Sequence, residues 1–533
     1  MKKRMVIATV LLLICSLVAT AVPDGPRIKM QRGTRDRTQR MAAPTRVEFT
    51  EETVALVESA PVDAVALSSQ VLAGHLLRRI GFGPTQGDMR WLTPRGRTGR
   101  VRWINWQLWP EYIDDSYAES LLPAINPDNG DTDYIRRWYV RMTYSQRQLQ
   151  EKMTLIWHEH FSVSDEKVGD QRYLGAHEDL LRRNSLGNFR NFLVDVTVDS
   201  AMLRWLDNDY NNGNDVKPPN ENFSREFLQL FATGTTLLNL DGTPVRDASG
   251  NPVPSYTETD VRELARSLTG WHTNYCDPYP YCDPGPATFE PGYHDDRAKT
   301  IMGEDVPAGM GEDETAYAID LVLRQRTDTV AAFISKILLQ KLVSENPPPA
   351  YVYRVARRFK NTNWNIREAV KLILTDAAFE SGAMVRTMYK EPVEQYVGAV
   401  RALNSWTQGD ALYNWTYEAG QLVYYPPSVF SFYRPGNKAS LVNTSRVFFR
   451  DKMADEYSSG WWDTAFDAPA HIRQGGLTTP DRAVTYFVSR LLAAPASTGV
   501  RSELIRYMGG QVTEEKVRGL VWLIMCSPDF QRN

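Results

Sequence analysis

Two of the seven histidines, His158 and His160, stand two residues apart at the end of a helical pattern. Leu149, Met153 and Ile156 make the apolar face of a helix expected over 145–161. At about 100° per residue, His160 falls within about 20° of Leu149 and His158 falls on the opposite face. The pair can hold one metal ion only if the helix ends at Trp157 and the chain runs extended beyond it, placing i and i+2 on one side. His160 is therefore the better candidate for an inward site. It is weighed against a core histidine whose bonds are met inside the protein.

A second segment runs over 218–227. Asn220 suits a helix N-cap, and Glu221 then complements the helix dipole. Phe223, Phe227 and Leu230 form a buried face, with Glu226 about 60° off it. A half-buried carboxylate there needs a partner, either an arginine or a metal or substrate. A third segment, 293–299, sets His294 beside Asp295 with Lys299 following. His294 can serve there as ligand or base and Lys299 as an anion contact, against a plain surface turn. The oxygen-rich loop 207–215 could hold calcium, but Pro218 stands where an EF-hand needs its bidentate Glu, and the solvated Asx-turn reading outweighs it.

These residues define one expected site. His160, Glu226 and His294 would be catalytic, joined by His158 and Glu221 around a divalent metal ion whose bound water attacks the substrate, so that hydrolysis is the expected reaction. Other chemistries lose support. Ser162 stands where the second His of HExxH would fall, and no GxSxG, GxxxxGK[ST], CxxCH or GxGxxG occurs.

The elements that must position these residues are helical. Thr257 with Asp260 opens an amphipathic helix ending near Gly270, Asn365 with Glu368 opens a second, and Thr513 opens a third. Two more helices are expected over 314–343. The stretch 237–253 reads as a small hairpin or long loop. The expected fold is mostly α, a large multi-helix body with long loops and at most a small β-hairpin. A weak internal echo links 373–379 with 524–530, each closing a helix on a Phe, through duplication or shared helix-end chemistry.

Lys2, Lys3 and Arg4, the apolar run 6–19 and Ala19-Thr20-Ala21 read as a cleaved signal peptide, residues 1–21. A flexible lead-in, 22–65, precedes the helical domain, 66–532. A periplasmic or secreted protein is expected, with no membrane span after signal cleavage. In that compartment Cys276 and Cys282 are expected to form a local disulfide, and Cys526 a buried thiol. The net charge of -3 argues against nucleic acid as a partner.

Several segments together resemble the bacterial family called domain of unknown function 1800. They are 75–83, the run Glu151-Lys152-Met153 leading to Trp157-His158-Glu159-His160-Phe161, Asn220 to Gly234, Leu268 to Trp271, and His294-Asp295 with Lys299 and Gly303. Lys336 to Leu342, Lys390-Glu391-Pro392 and 426–430 continue the pattern, so the likeness covers about 66–532. Phe223 and the Phe-Tyr-Arg-Pro at 432–435 depart from it. The resemblance implies an exported helical protein. Its genes often neighbour those of an exported family similar to alkaline phosphatase and sulfatase folds, which implies such a partner. The competing expectation is a non-catalytic envelope binding or assembly module. Tyr424, Tyr425, Phe430, Phe432, Tyr433, Trp461 and Trp462 would then meet a glycan or protein, unless they are core.

Overall fold

Caps set the helices where the side-chain pattern places them. The Thr257 hydroxyl accepts from the Asp260 N–H at 3.2 Å and the Asp260 carboxylate accepts from the Thr257 N–H at 2.8 Å, a complete capping box for Glu258–Ser267. Asn365 caps Ile366–Thr375 through the Glu368 N–H at 3.2 Å. Glu368 turns its own carboxylate to Arg358 at 3.2 Å, so the return half of that box is replaced by an ion pair. Thr513 caps Glu514–Cys526 through the Lys516 N–H at 3.2 Å. The stretch 314–343 forms Asp313–Gln325 and Thr327–Leu342.

In this computed structural model the described residues are 67–125, 132–214, 217–273, 286–433, 438–441, 443–460, 464 and 466–533. The expected signal peptide and lead-in, the Cys276–Cys282 pair, and Trp461 and Trp462 lie outside them. The described residues fall in one unit, 46–533, and their fold is mostly α. Among them are two short antiparallel sheets, Trp271–His272 with Thr288–Phe289 and Lys299–Ile301 with Glu304–Val306. The 237–253 stretch is an irregular hairpin closed by bonds such as Leu237 N–H to the Val253 carbonyl at 2.8 Å. No helix is long and apolar enough to cross a membrane among the described residues.

One continuous apolar cluster runs from Ala73 to Phe530. At its middle lies the helix Gln148–His160, in which every residue except Gln150 is buried. The face assignment made for His158 and His160 assumed one watered side. This helix has none, so both histidines are inside. The helices Thr327–Leu342, Pro349–Asn361 and Ile366–Thr375 pack as a trio, and so do Pro480–Leu491, Thr498–Met508 and Glu514–Cys526. Each trio ends alike: Phe379 N–H reaches the Asp376 carbonyl and Phe530 N–H the Ser527 carbonyl, both at 3.1 Å. The sequence echo is thus the last turn of two similar three-helix units.

The Thr257 cap supplies a direct stability test. Thr257→Ala removes the hydroxyl half of the box and is expected to cost about 1 kcal/mol. Urea unfolding at neutral pH reads this; an unchanged midpoint would show that tertiary packing alone holds Glu258–Ser267.

Candidate functional site

Burying the helix Gln148–His160 on all sides strips water from Glu151, Lys152, His158, Glu159 and His160 together, so each must find its partner inside the protein. Glu151 takes Arg182 at 2.8 Å. Lys152 pairs with Glu394, which also accepts the Glu391 N–H at 2.9 Å at the start of the helix Pro392–Ala402.

Glu159 lies at the centre of the richest of these clusters. Its Oε2 pairs with Lys341, carried by the last turn of Thr327–Leu342. Its Oε1 accepts from Gln421 Nε2 at 2.8 Å, and the same amide nitrogen donates to Glu391 Oε2 at 2.9 Å. The Tyr433 hydroxyl accepts from Lys341 Nζ at 2.6 Å and donates to Glu391 Oε1, with Glu159 Oε2 3.4 Å away. Lys341 Nζ also lies 4.2 Å from the centre of the Tyr433 ring and 3.8 Å from Glu391 Oε1. All five side chains are buried, with Lys341 and Tyr433 keeping 6% and 7% of their exposure.

The electrostatics follow from two carboxylates facing one ammonium. Burial, and then the nearby Glu391, push the Glu159 carboxyl up to about 8, against the pull of Lys341. Burial alone would lower Lys341, but Glu159 and Glu391 hold it above its ordinary value. The ammonium and the two carboxyls share one hydrogen-bond frame, so their proton equilibria are coupled. Beside this cluster, burial and the cation Arg78 hold the Lys390 amine well below its ordinary value. Lys390 and Glu394 border a cavity of about 10 Å³, room for about one water.

The residues expected to share a metal ion are dispersed. His158 Nε2 accepts the Tyr424 N–H at 3.3 Å, and its ring meets Trp138 edge-on at 5.3 Å. His160 Nε2 donates to the Phe231 carbonyl at 3.0 Å among Trp157, Phe161 and Phe231. Both are satisfied core histidines. Glu221 is paired with Arg225 at 3.1 Å. Glu226 is half-buried with Oε2 unbonded, and its desolvation raises its pKa against the pull of Arg225. It ends Asn222–Glu226, where the chain continues as the π-helix Phe227–Ala232. The helix begins two residues after Asn220, whose side chain instead accepts the Asn222 N–H at 2.9 Å.

His294 belongs to a separate network. Its Nδ1 faces the Thr269 carbonyl at 3.0 Å and its Nε2 faces Glu314 Oε2 at 3.2 Å. Lys299 Nζ lies 2.6 Å from Glu314 Oε1, so it meets a carboxylate and not an anionic ligand. Asp295 is gripped by Arg266 at 2.7 Å and Arg297 at 2.5 Å; burial would raise its carboxyl, but these guanidiniums hold it far below the usual range. The 207–215 loop buttresses this turn: Gly213 N–H donates to the Tyr293 carbonyl at 2.8 Å, and a Cβ on Gly213 would sit 2.5 Å from Asp295 Cβ. Its side chains tie backbone, as when Asn208 Nδ2 donates to the Leu268 carbonyl at 2.8 Å. Among the described residues, His294, Asp296 and Glu314 form the group of three whose potential ligand atoms lie within 4.8 Å of one another. His158, His160, Glu221 and Glu226 are not part of it, so the five-residue ligand set does not assemble.

Sequence reasoning missed Glu159, Lys341, Glu391 and Gln421. Glu159 stood between the two histidines that drew attention. The signal it offers is a carboxylate with Leu155 and Ile156 one helical turn before it. Tyr433 was noticed only as one of several aromatics; it, Tyr424 and Phe432 are buried, whereas Phe430 is exposed.

Helices wrapped round a charged central helix, with an interior carboxylate–lysine–tyrosine cluster, define the class of this protein: a large, mostly helical body with a buried charged network. The family described as "Protein of unknown function (DUF1800)" matches residues 75–532, and the chain belongs to that family. Neither the curated proteins nor the solved structures contain a match.

The two buried imidazoles give a pH prediction. Burial lowers His158 to about 3, with His177 adding to it, and lowers His160 to about 4, with Lys341 adding and the Phe231 carbonyl opposing. Both are neutral in the fold, and the unfolded chain takes up their protons first. Their contribution to stability is full above about pH 6.5 and is lost as pH falls through the folded values. His160→Gln is expected to be less stable at pH 7 but to lose less between about pH 7 and about pH 4, by on the order of 3 kcal/mol. Equal acid slopes for variant and parent would overturn this reading of His160.

Proposed function

We propose that this chain is an exported cell-envelope enzyme whose acid–base centre is the Glu159–Glu391 pair, acting by hydrolysis. The signal-peptide pattern over 1–21 supports export. The observation that carries the catalytic reading is the shared frame itself: one Gln421 amide bridges both carboxylates, and one ammonium serves both. Glu159 then offers a proton near neutral pH, where a general acid works best, and Glu391 accepts one. Lys341 provides fixed positive charge for a developing oxyanion. The Tyr433 hydroxyl occupies the place between Lys341 and Glu391 that a substrate oxygen would take. Tyr424 and Ser431, at φ of 70° and 64°, hold left-handed bends in the segment that carries Tyr433, a strain the surrounding structure must maintain.

The test is twofold. Difference infrared spectroscopy should show a protonated carboxyl titrating near pH 8, absent in Glu159→Gln. On a panel of aryl esters, aryl glycosides and envelope polysaccharide, Glu159→Gln and Glu391→Gln should each lower turnover by about 10²- to 10⁴-fold, with melting temperature little changed. A wild-type chain with no such carboxyl and no turnover points to the non-catalytic binding module.

A second reading keeps a metal ion, and one observation favours it. Potential ligand atoms of His294, Asp296 and Glu314 lie within 4.8 Å of one another, with His294 Nε2 facing Glu314 and Nδ1 facing the Thr269 carbonyl and hydroxyl, an arrangement suited either to a divalent cation or to a metal-free hydrogen-bond cluster. Metal analysis of natively purified protein separates these. A stoichiometric ion that is lost in Asp296→Asn supports the cation. Protein without an ion, unresponsive to added zinc, manganese or iron, leaves the metal-free cluster.

A further inference from the structure

Three exposed aromatics stand close together on the helix Gly96–Gln107 and the turn after it. Trp106 is 42% exposed, Trp109 46% and Tyr112 79%. With Asn105 they line an open cleft of about 460 Å³. Trp106 also borders a second cleft of about 270 Å³, whose rim includes Gln146 and Asn404. The two hollows therefore share one indole. Large apolar rings exposed together are rarely idle on a protein surface.

The rings are held in place. The Arg367 guanidinium lies 3.8 Å from the centre of the Trp109 ring while it pairs with Glu111 at 3.2 Å. Trp106 meets the buried Trp103 edge-on with centres 6.3 Å apart, and Trp109 lies 6.2 Å from Tyr112. Such pre-organisation lowers the entropy lost on binding.

The polar groups beside the rings identify the ligand class. Asn105, Gln146 and Asn404 are exposed, and their side-chain amides make no hydrogen bond among the described residues. Each offers both a donor and an acceptor. No free cation lines either cleft: the one arginine, Arg401, is turned to the carbonyls of Gly83 at 3.2 Å and Thr143. A phosphate or nucleic-acid chain needs cations here. A neutral sugar suits both parts. The axial C–H bonds of a pyranose present an apolar face to an indole, and its equatorial hydroxyls reach donor–acceptor amides at the rim.

We propose that these two clefts form one binding site for a neutral glycan chain, stacked on Trp106 and Trp109 and fixed by Asn105, Gln146 and Asn404. This site is separate from Glu159 and Glu391 and does not rest on the catalytic reading. Tryptophan fluorescence and calorimetry on the full chain, titrated with cellohexaose, laminarihexaose and xylohexaose, test it. Saturable binding of at least one is expected, weakened about tenfold or more by Trp106→Ala and by Tyr112→Ala, and retained in Glu159→Gln. Tyr112 is so exposed that its variant keeps the fold even if Trp106→Ala does not. Failure of all three sugars to bind overturns the proposal. So does binding that both variants leave unchanged, or a preference for the polyanion heparin over every neutral sugar.

Discussion

A charge removed from water must meet its opposite, and that rule governs the centre of this fold. The helix Gln148–His160 carries two glutamates, a lysine and two histidines into a region without solvent. One unpaired buried charge costs about 3–5 kcal/mol, a large part of the ~5–15 kcal/mol that holds a domain together. The neighbours are correspondingly determined. Arg182 must lie beside Glu151, Glu394 beside Lys152, and Lys341 beside Glu159. Those partners come from three other helices, so the requirement for pairing sets how four helices assemble.

What could be read from the sequence was local. Thr257, Asn365 and Thr513 cap helices within three residues of themselves, and the chemistry of a cap is complete in that window. The mostly helical class follows from the same signals. The site was less legible, because the helical-wheel argument for His158 and His160 presupposes a boundary between core and water. Glu159 and Lys341 are 182 residues apart, and Tyr433 is 92 beyond Lys341. No periodicity encodes such a meeting. A glutamate with Leu155 and Ile156 one turn before it does announce that some distant cation exists, though not which one.

The repeated three-helix unit shows the same division between local and distant information. The endings at Phe379 and Phe530 are alike in backbone geometry, and the sequence echo located them. Their settings differ. The Phe379 carbonyl meets His75 Nε2 at 3.1 Å, while the Phe530 ring lies 4.0 Å from Lys390 Nζ. Two three-helix units with like ends, whether by duplication or by shared helix-end chemistry, can thus take different neighbours. Only the first unit contributes a charge, Lys341, to the central network.

The composition of that network differs from that of a simple ion pair. A tie needs one acid for one base, as Lys152 and Glu394 provide next to it. Lys341 faces Glu159 and a second acid, Glu391. Its presence raises the cost of ionising the first, and that cost appears as the elevated Glu159 carboxyl. Gln421 and Tyr433 are then needed to hold the extra oxygen atoms. A core selected for stability alone would do as well with an apolar residue in place of one glutamate, since buried ion clusters often lose to hydrophobic packing of equal volume. An arrangement that keeps both carboxylates is stable at a disadvantage. Proton transfer is the property that such an arrangement has and an apolar core lacks.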